Sequence, residues 1–310
     1  MFAPKYNLMK LLIFIIVYPL IWILSILPMR LLYIISDFFR LVVFNFIGYR
    51  KKVVIQNLKM AFPDKNDKEI KSIAKKFYKH FIDLIFESIK SFTISKKQIE
   101  KRYVYKNIEV INNLAAQGRS IILSGSHQAN WELSFGLPLK ANLSCYGAYT
   151  RIQNPYFEKV IKSSRTKFGY DGVPTGLFNK KLEERVKNNI QSLYVLLSDQ
   201  SPQVHKTRYW ATFLNNWVPV HTGMEILAKK YNFAIVNMNV TKVKRGYYEA
   251  NFELITETPK EFENFEITDK YLKITEAHIK TQPEFYLWTH KRFKHKDKYE
   301  QWLENRKASQ

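Results

Sequence analysis

A chain of 310 residues with 46% hydrophobic and 15% aromatic content can bury a large core, which excludes a disordered or fibrous protein. A single cysteine, Cys145, excludes an intrachain disulfide and any multi-cysteine metal site. The formal net charge of +22, from 49 Lys+Arg against 27 Asp+Glu, favours anionic partners such as an anionic bilayer, an acidic protein or nucleic acid. No nucleic-acid recognition motif accompanies that charge, and a Lys-rich composition by itself accounts for part of it.

Residues 11–27 are almost wholly apolar, with Lys5 and Lys10 before them and Arg30 and Arg50-Lys51-Lys52 after them. A run of roughly 17 residues is the short end of a spanning helix. No small-residue cleavage site follows, so a retained anchor is expected rather than a signal peptide. Both flanks are basic, which leaves open whether the segment spans or is re-entrant. Residues 31–47, broken by Asp37 and Arg40, read as an amphipathic helix lying on a membrane surface. The expected organisation is therefore an anchor with an interfacial helix over residues 1–50, and one α/β domain over residues 51–310.

Asn66 with Glu69 three positions on is a capping box. The helix it opens carries Ile70, Ile73, Ala74, Phe77, Phe81, Ile82, Ile85 and Ile89 at three- and four-residue steps, an apolar face. Residues 100–116 are mixed and end at the turn residue Gly118. Strands are expected at 120–124, 143–149, 192–197, 233–240 and 247–256, and helices at 155–167, 177–190 and 222–231. This alternation predicts an α/β fold: a mostly parallel or mixed sheet flanked by helices, with the last two strands paired antiparallel around Arg245-Gly246. Ligands of such sheets gather beyond the carboxyl ends of the strands. His127 follows one such end and Asp199 another.

The segment Ser124-Gly125-Ser126-His127-Gln128-Ala129-Asn130-Trp131-Glu132 carries the strongest chemical signal. Residues five apart on one α-helix point about 140° from each other. A His127–Glu132 contact therefore requires His127 at or before the helix start, with Glu132 reaching back. In that geometry Glu132 accepts the Nδ1 proton and Nε2 faces the substrate as a general base. Spacing alone fits a helix-start histidine and an ordinary surface glutamate better. No G-x-S-x-G elbow nominates a nucleophilic serine. His127, Glu132, Asp199 and His205 or His221 lack metal-ligand spacing, so no metal is expected.

The segment 127–132 resembles the H-x-G-N-W-E form of the HX4D/E motif of the lipid A biosynthesis (late, or secondary) acyltransferases, a branch of the lysophospholipid acyltransferase superfamily. Other blocks agree in order: Gln56-Asn57-Leu58 with Ala61-Phe62-Pro63; Tyr149-Thr150-Arg151 with Asn154-Pro155; Leu197-Ser198-Asp199-Gln200; Gly223 with Leu227-Ala228; and a closing block from Pro283 to Lys294 that contains Leu287-Trp288-Thr289-His290-Lys291-Arg292. The resemblance implies a glycerol-phosphate-acyltransferase-like fold and direct transfer of a fatty acyl chain to a hydroxyl of a lipid A precursor. The donor would be an acyl carrier protein thioester, or acyl-CoA, with no bound cofactor. It implies His127 as base, Glu132 as its orienting acid, and Arg151 or Arg165 as ligands for a phosphate of the acceptor or of phosphopantetheine. Asp199 and Gln200 would line the site. The partners implied are acyl carrier protein, an anionic membrane and a glycolipid acceptor, at the cytoplasmic face of a bacterial inner membrane. Two departures stand out: Ala129 replaces a usual glycine, and Phe213-Leu214-Asn215 replaces an F-x-G-like element, which bears on the acceptor. An aminolipid, another glycolipid or an aryl-polyene pigment is the alternative acceptor. A basic membrane-surface or nucleic-acid-binding protein is the non-enzymatic alternative.

Overall fold

The computed structural model describes residues 8–308. It opens with helices α1 (Leu8–Ile26) and α2 (Met29–Leu41), a π-helical turn (Val42–Ile47), α3 (Lys51–Ala61) and the long α4 (Asp67–Lys90). There follow α5 (Lys96–Arg102), β1 (Tyr103–Tyr105), α6 (Glu109–Ala116), β2 (Ile121–Gly125) and a 3-10 helix (Trp131–Leu139). The middle of the chain is β3 (Ser144–Tyr149), α7 (Pro155–Thr166), β4 (Tyr170–Pro174), α8 (Thr175–Lys187) and β5 (Ser192–Leu197). After these come the hairpin β6 (Tyr209–Phe213) and β7 (Asn216–Val220), α9 (Gly223–Tyr231), β8 (Ala234–Lys244), β9 (Tyr247–Thr256), α10 (Glu266–Thr281) and α11 (Tyr299–Ala308).

The main sheet has the order β1-β9-β8-β2-β5-β3-β4. Strands β8, β2, β5, β3 and β4 run parallel, and β9 pairs antiparallel with β8 as the Arg245-Gly246 turn predicts. The mixed α/β expectation is met, with β2 at the centre. Side chains alternate across a strand, so neighbouring residues serve opposite layers. Ile122, Tyr194 and Ile235 enter the core under α3, α4, α8, α9 and α10. Ile121, Leu123, Leu193, Val195, Ala234 and Val236 enter the core on the other face, under α5, α6 and the 3-10 helix. Both faces are covered, which is why these strands read as continuous apolar runs.

Strands β1 and β4 and the hairpin have no counterpart in the sequence reading. β4 contains Asp171, Gly172 and Pro174, residues that signal turns, and it survives because it lies at the sheet edge where a missing donor is tolerated. The hairpin turn is Leu214-Asn215, with φ of +48° and +63°. Two left-handed residues make the turn twist that strands prefer. The departure Phe213-Leu214-Asn215 is therefore a hairpin turn. Leu214 is fully buried, and Asn215 Nδ2 donates to the carbonyl of Ala61 on α3.

The capping box on α4 forms: Asn66 Oδ1 accepts from the amides of Lys68 and Glu69, and Glu69 Oε2 accepts from the amide of Asn66. The expected apolar face is only half of what α4 buries. Ile70, Ala74, Phe77 and Ile82 are buried, but Ile85 is 43% exposed. His80, Asp83 and Glu87, at steps of three and four, are buried instead. The reason is that α4 also packs on the β8–β9 end of the sheet and on residues 129–130, where His80 meets Ala129 and Lys242, Asp83 meets Arg245, and Glu87 meets Asn130 and Tyr248, while α2 covers the neighbouring Ile82 and Phe86. Asn57 on α3 is 3% exposed, and its Nδ2 donates to the carbonyls of Trp288 at 2.8 Å and His290 at 2.7 Å. Asn57→Ala is expected to cost about 1–3 kcal/mol, because two buried carbonyls lose their donor. Urea denaturation would show it as a lower midpoint at unchanged slope.

Among the described residues, α1 is long and apolar enough to cross a membrane by length and composition. Helix α2 is amphipathic in an unusual sense. Tyr33, Ser36 and Asp37 face the protein, while Leu31, Ile34 and Phe38 are 47%, 66% and 63% exposed. A contiguous exposed apolar face of this kind marks an interaction surface.

Candidate active site

Strands β2 and β5 are parallel neighbours with Gly125 in register with Leu197. His127 and Asp199 each lie two residues beyond that pair, so the register brings them together although 72 residues separate them. Asp199 is completely buried, and its two oxygens are both committed to His127. Oδ1 lies 2.8 Å from the ring Nδ1, and Oδ2 accepts the His127 backbone amide at 3.1 Å. The His127 side chain keeps 19% exposure and lines a cavity. Burial pulls the imidazole toward its neutral form. The Asp199 charge and hydrogen bond outweigh it, Glu132 adds a smaller push, and the net pKa lies above the ordinary histidine value. Burial pushes the Asp199 carboxyl up, but the His127 charge and hydrogen bonds win, and it lies below the ordinary value.

This corrects the expected His127–Glu132 contact. His127 does precede the helix, but the helix is a 3-10 helix beginning at Trp131, and Glu132 on its first turn is directed to Arg165, with Nη2–Oε2 at 2.6 Å. The Nδ1 partner is Asp199. Glu132 acts on His127 only through its charge.

The loop 126–130 is held on all sides. Ala129, at φ +51° and fully buried, donates its amide to Phe285, and the His127 carbonyl accepts from Leu287. Gln128 Nε2 donates to the Gln282 carbonyl. The closing block expected from the sequence thus grips the motif loop directly. Asn130 caps the 3-10 helix, its Oδ1 accepting from the amide of Leu133 at 3.2 Å. Ala129 takes up the left-handed backbone that the usual glycine would supply.

The cavity beside His127 has a volume of about 330 Å³ and is lined by Trp131, Glu132, Phe135, Arg165, Tyr170 and Leu197 among others. Its lining combines the apolar Trp131, Phe135, Val195 and Leu197 with the Glu132–Arg165 ion pair. A methyl group on Gly147 would collide with the Tyr170 hydroxyl, so glycine is what lets that ring lie in the cavity. Of the sequence candidates, His127, Glu132 and Arg165 line this space and Asp199 stands behind His127. Arg151 is exposed, one residue beyond Thr150 of the lining, and Gln200 is half-buried outside the lining. Trp131 enters the sequence analysis only as a letter of the motif, and Tyr170 is missed there because β4, the strand that carries it, is not signalled by its residues. Among the described residues no three His, Cys, Asp or Glu side chains gather as a metal site.

The family model for bacterial lipid A biosynthesis acyltransferases matches residues 1–295. The lipid A biosynthesis lauroyltransferase of Escherichia coli (strain K12) is 23% identical over 287 residues, covering 88% of this chain and 89% of the relative. With the match extending over nearly the whole chain, the protein belongs to the bacterial lipid A biosynthesis acyltransferase family and is an O-acyltransferase.

Proposed function

We propose that the protein transfers a fatty acyl chain from a carrier thioester to a hydroxyl of a lipid A precursor, with His127 as general base and Asp199 as its orienting acid. The 2.8 Å contact between Nδ1 and a fully buried carboxylate carries this reading. It favours the proton on Nδ1 and leaves the Nε2 lone pair free to accept. Nε2 takes the acceptor hydroxyl proton as the oxygen attacks the thioester carbonyl. The tetrahedral adduct then collapses, the carbon–sulfur bond breaks, and the imidazolium returns the proton to the departing thiolate. Asp199 stabilises the imidazolium without taking its proton. The apolar side chains of the cavity lining suit the acyl chain, and Arg165 in that lining, with the exposed Arg151 next to Thr150, suits a phosphate on donor or acceptor.

The donor is read as acyl carrier protein, an acidic partner for a chain of charge +22. The exposed apolar faces of α1 and α2 with their basic flanks support a location at the cytoplasmic face of the inner membrane, beside the glycolipid acceptor. The test is incubation of the purified protein with acyl carrier protein thioesters and a labelled lipid A precursor. An acylated precursor with release of free carrier thiol supports the reading. Transfer confined to an aminolipid, another glycolipid or a pigment precursor would replace the acceptor and keep the chemistry.

A further inference from the structure

Glu87 on α4 is a carboxylate 2% exposed, and its hydrogen-bond partners are all uncharged donors. Oε1 accepts from the Tyr33 hydroxyl of α2 at 2.8 Å. Oε2 accepts from Asn130 Nδ2 at 2.6 Å and from the Tyr248 hydroxyl at 2.7 Å. A buried carboxylate is costly and persists where its acceptor geometry is needed. Here it joins a surface helix to the residue that caps the 3-10 helix, three positions after His127. Two turns back on α4, His80 does the same for the preceding residue: Nε2 lies 3.0 Å from the Ala129 carbonyl and Nδ1 lies 3.1 Å from Lys242 Nζ. The ammonium donates to Nδ1, so Nε2 carries the proton that Ala129 accepts. Both Ala129, in its left-handed conformation, and Asn130 are therefore fastened from α4.

We infer that Glu87 is a positioning residue for His127: through Asn130 it ties the motif loop to the apolar surface helix α2, holding the loop in the one conformation that keeps His127 against Asp199. No catalytic contact is involved, since Glu87 touches neither the cavity nor His127. The inference rests on His127 being the base, and its test has a readout that does not. Glu87→Met removes the acceptors at similar volume. Glu87→Gln keeps an oxygen toward Asn130 and Tyr248, with its NH₂ facing the Tyr33 hydroxyl. Amide hydrogen exchange over residues 126–134 and steady-state acyl transfer are measured on each full-length variant.

Glu87→Met is expected to raise exchange selectively in that segment and to lower kcat about 10–100-fold with KM little changed, because a loop displaced by about an ångström misplaces the base. Glu87→Gln should restore both to within a few-fold of wild type. Tyr33→Phe, half-buried at the edge of the network, should shift both in the same direction by less, and it keeps the test alive if Glu87→Met does not fold. Unchanged local exchange in the Met variant overturns the inference. So does exchange raised throughout the chain with kcat per folded molecule intact, which is how a merely structural residue behaves. Local exchange raised in a protein that transfers no acyl group would leave the fastening in place and remove the acyltransferase reading.

Discussion

Replacing His127 is expected to lower kcat by about 10²–10⁴-fold, the usual contribution of a positioned general base. The choice of replacement decides whether the result is interpretable. His127→Ala leaves the Asp199 carboxylate buried without its imidazole partner, and an uncompensated buried charge destabilises the fold. His127→Asn is the informative variant, because its amide can still donate toward Asp199 yet cannot take a proton at neutral pH. Both should lose turnover while keeping KM for the carrier thioester, since the proton transfer proposed for His127 is made only in the transition state. Only the alanine should show a marked fall in melting temperature. Wild-type turnover by His127→Asn would refute the mechanism, whatever the stability data show.

Asp199→Asn is expected to cost a comparable factor, about 10²–10⁴-fold in kcat, through the tautomer rather than through loss of the base. The side-chain amide of that variant can present an NH₂ to Nδ1, which moves the imidazole proton to Nε2 and blocks the position that must accept. The pH profile separates this from general damage. His127 must be neutral to act, and its pKa is raised, so the wild-type rate should climb with pH through an inflection above the ordinary histidine value of about 6.5. Without the Asp199 charge, burial dominates and the inflection should fall. Glu132→Gln should move it down only slightly, since Glu132 is the smallest of the influences on His127. A larger shift from Glu132→Gln than from Asp199→Asn would restore the dyad that the motif resemblance implies. The same linkage bears on stability. The raised pKa of His127 contributes stability that is fully present below the unfolded value and is lost as pH rises through the folded one. The depressed pKa of Asp199 contributes stability present above its unfolded value and lost as pH falls through the folded one.

The two carboxylates show how far local sequence reaches. Glu132 is five residues from His127, and the motif resemblance rather than the spacing names it as the partner. Asp199 is 72 residues away, and its partnership depends on β2 and β5 being neighbours in a particular register. That register is a property of the sheet, and periodicity within one strand says nothing about which strand lies beside it. The sequence did place both His127 and Asp199 beyond strand ends, so the candidates were legible although their pairing was not. The direction of Glu132 was decided by the 3-10 geometry of its helix and by Arg165 on α7.

Helix α4 repeats the lesson on a larger scale. Its cap and its inner apolar face follow from local rules, since the Asn66–Glu69 box needs only three residues and the face only a 3.6-residue period. The burial of His80, Asp83 and Glu87 follows from what covers them: Lys242, Arg245 and Tyr248 of the β8–β9 hairpin, Ala129 and Asn130 of the motif loop, and Tyr33 and Ser36 of α2. A polar stripe reads as solvated until a second polar surface covers it. By itself the sequence determined the α/β alternation, the apolar N-terminus, the strand-end histidine and, through ordered blocks, the family. Only the tertiary structure decided which acid serves His127, what holds Ala129 and Asn130, and which face of α2 points outward. Each of those depends on contacts between segments distant in the chain, which hydrophobic period and local propensity do not encode.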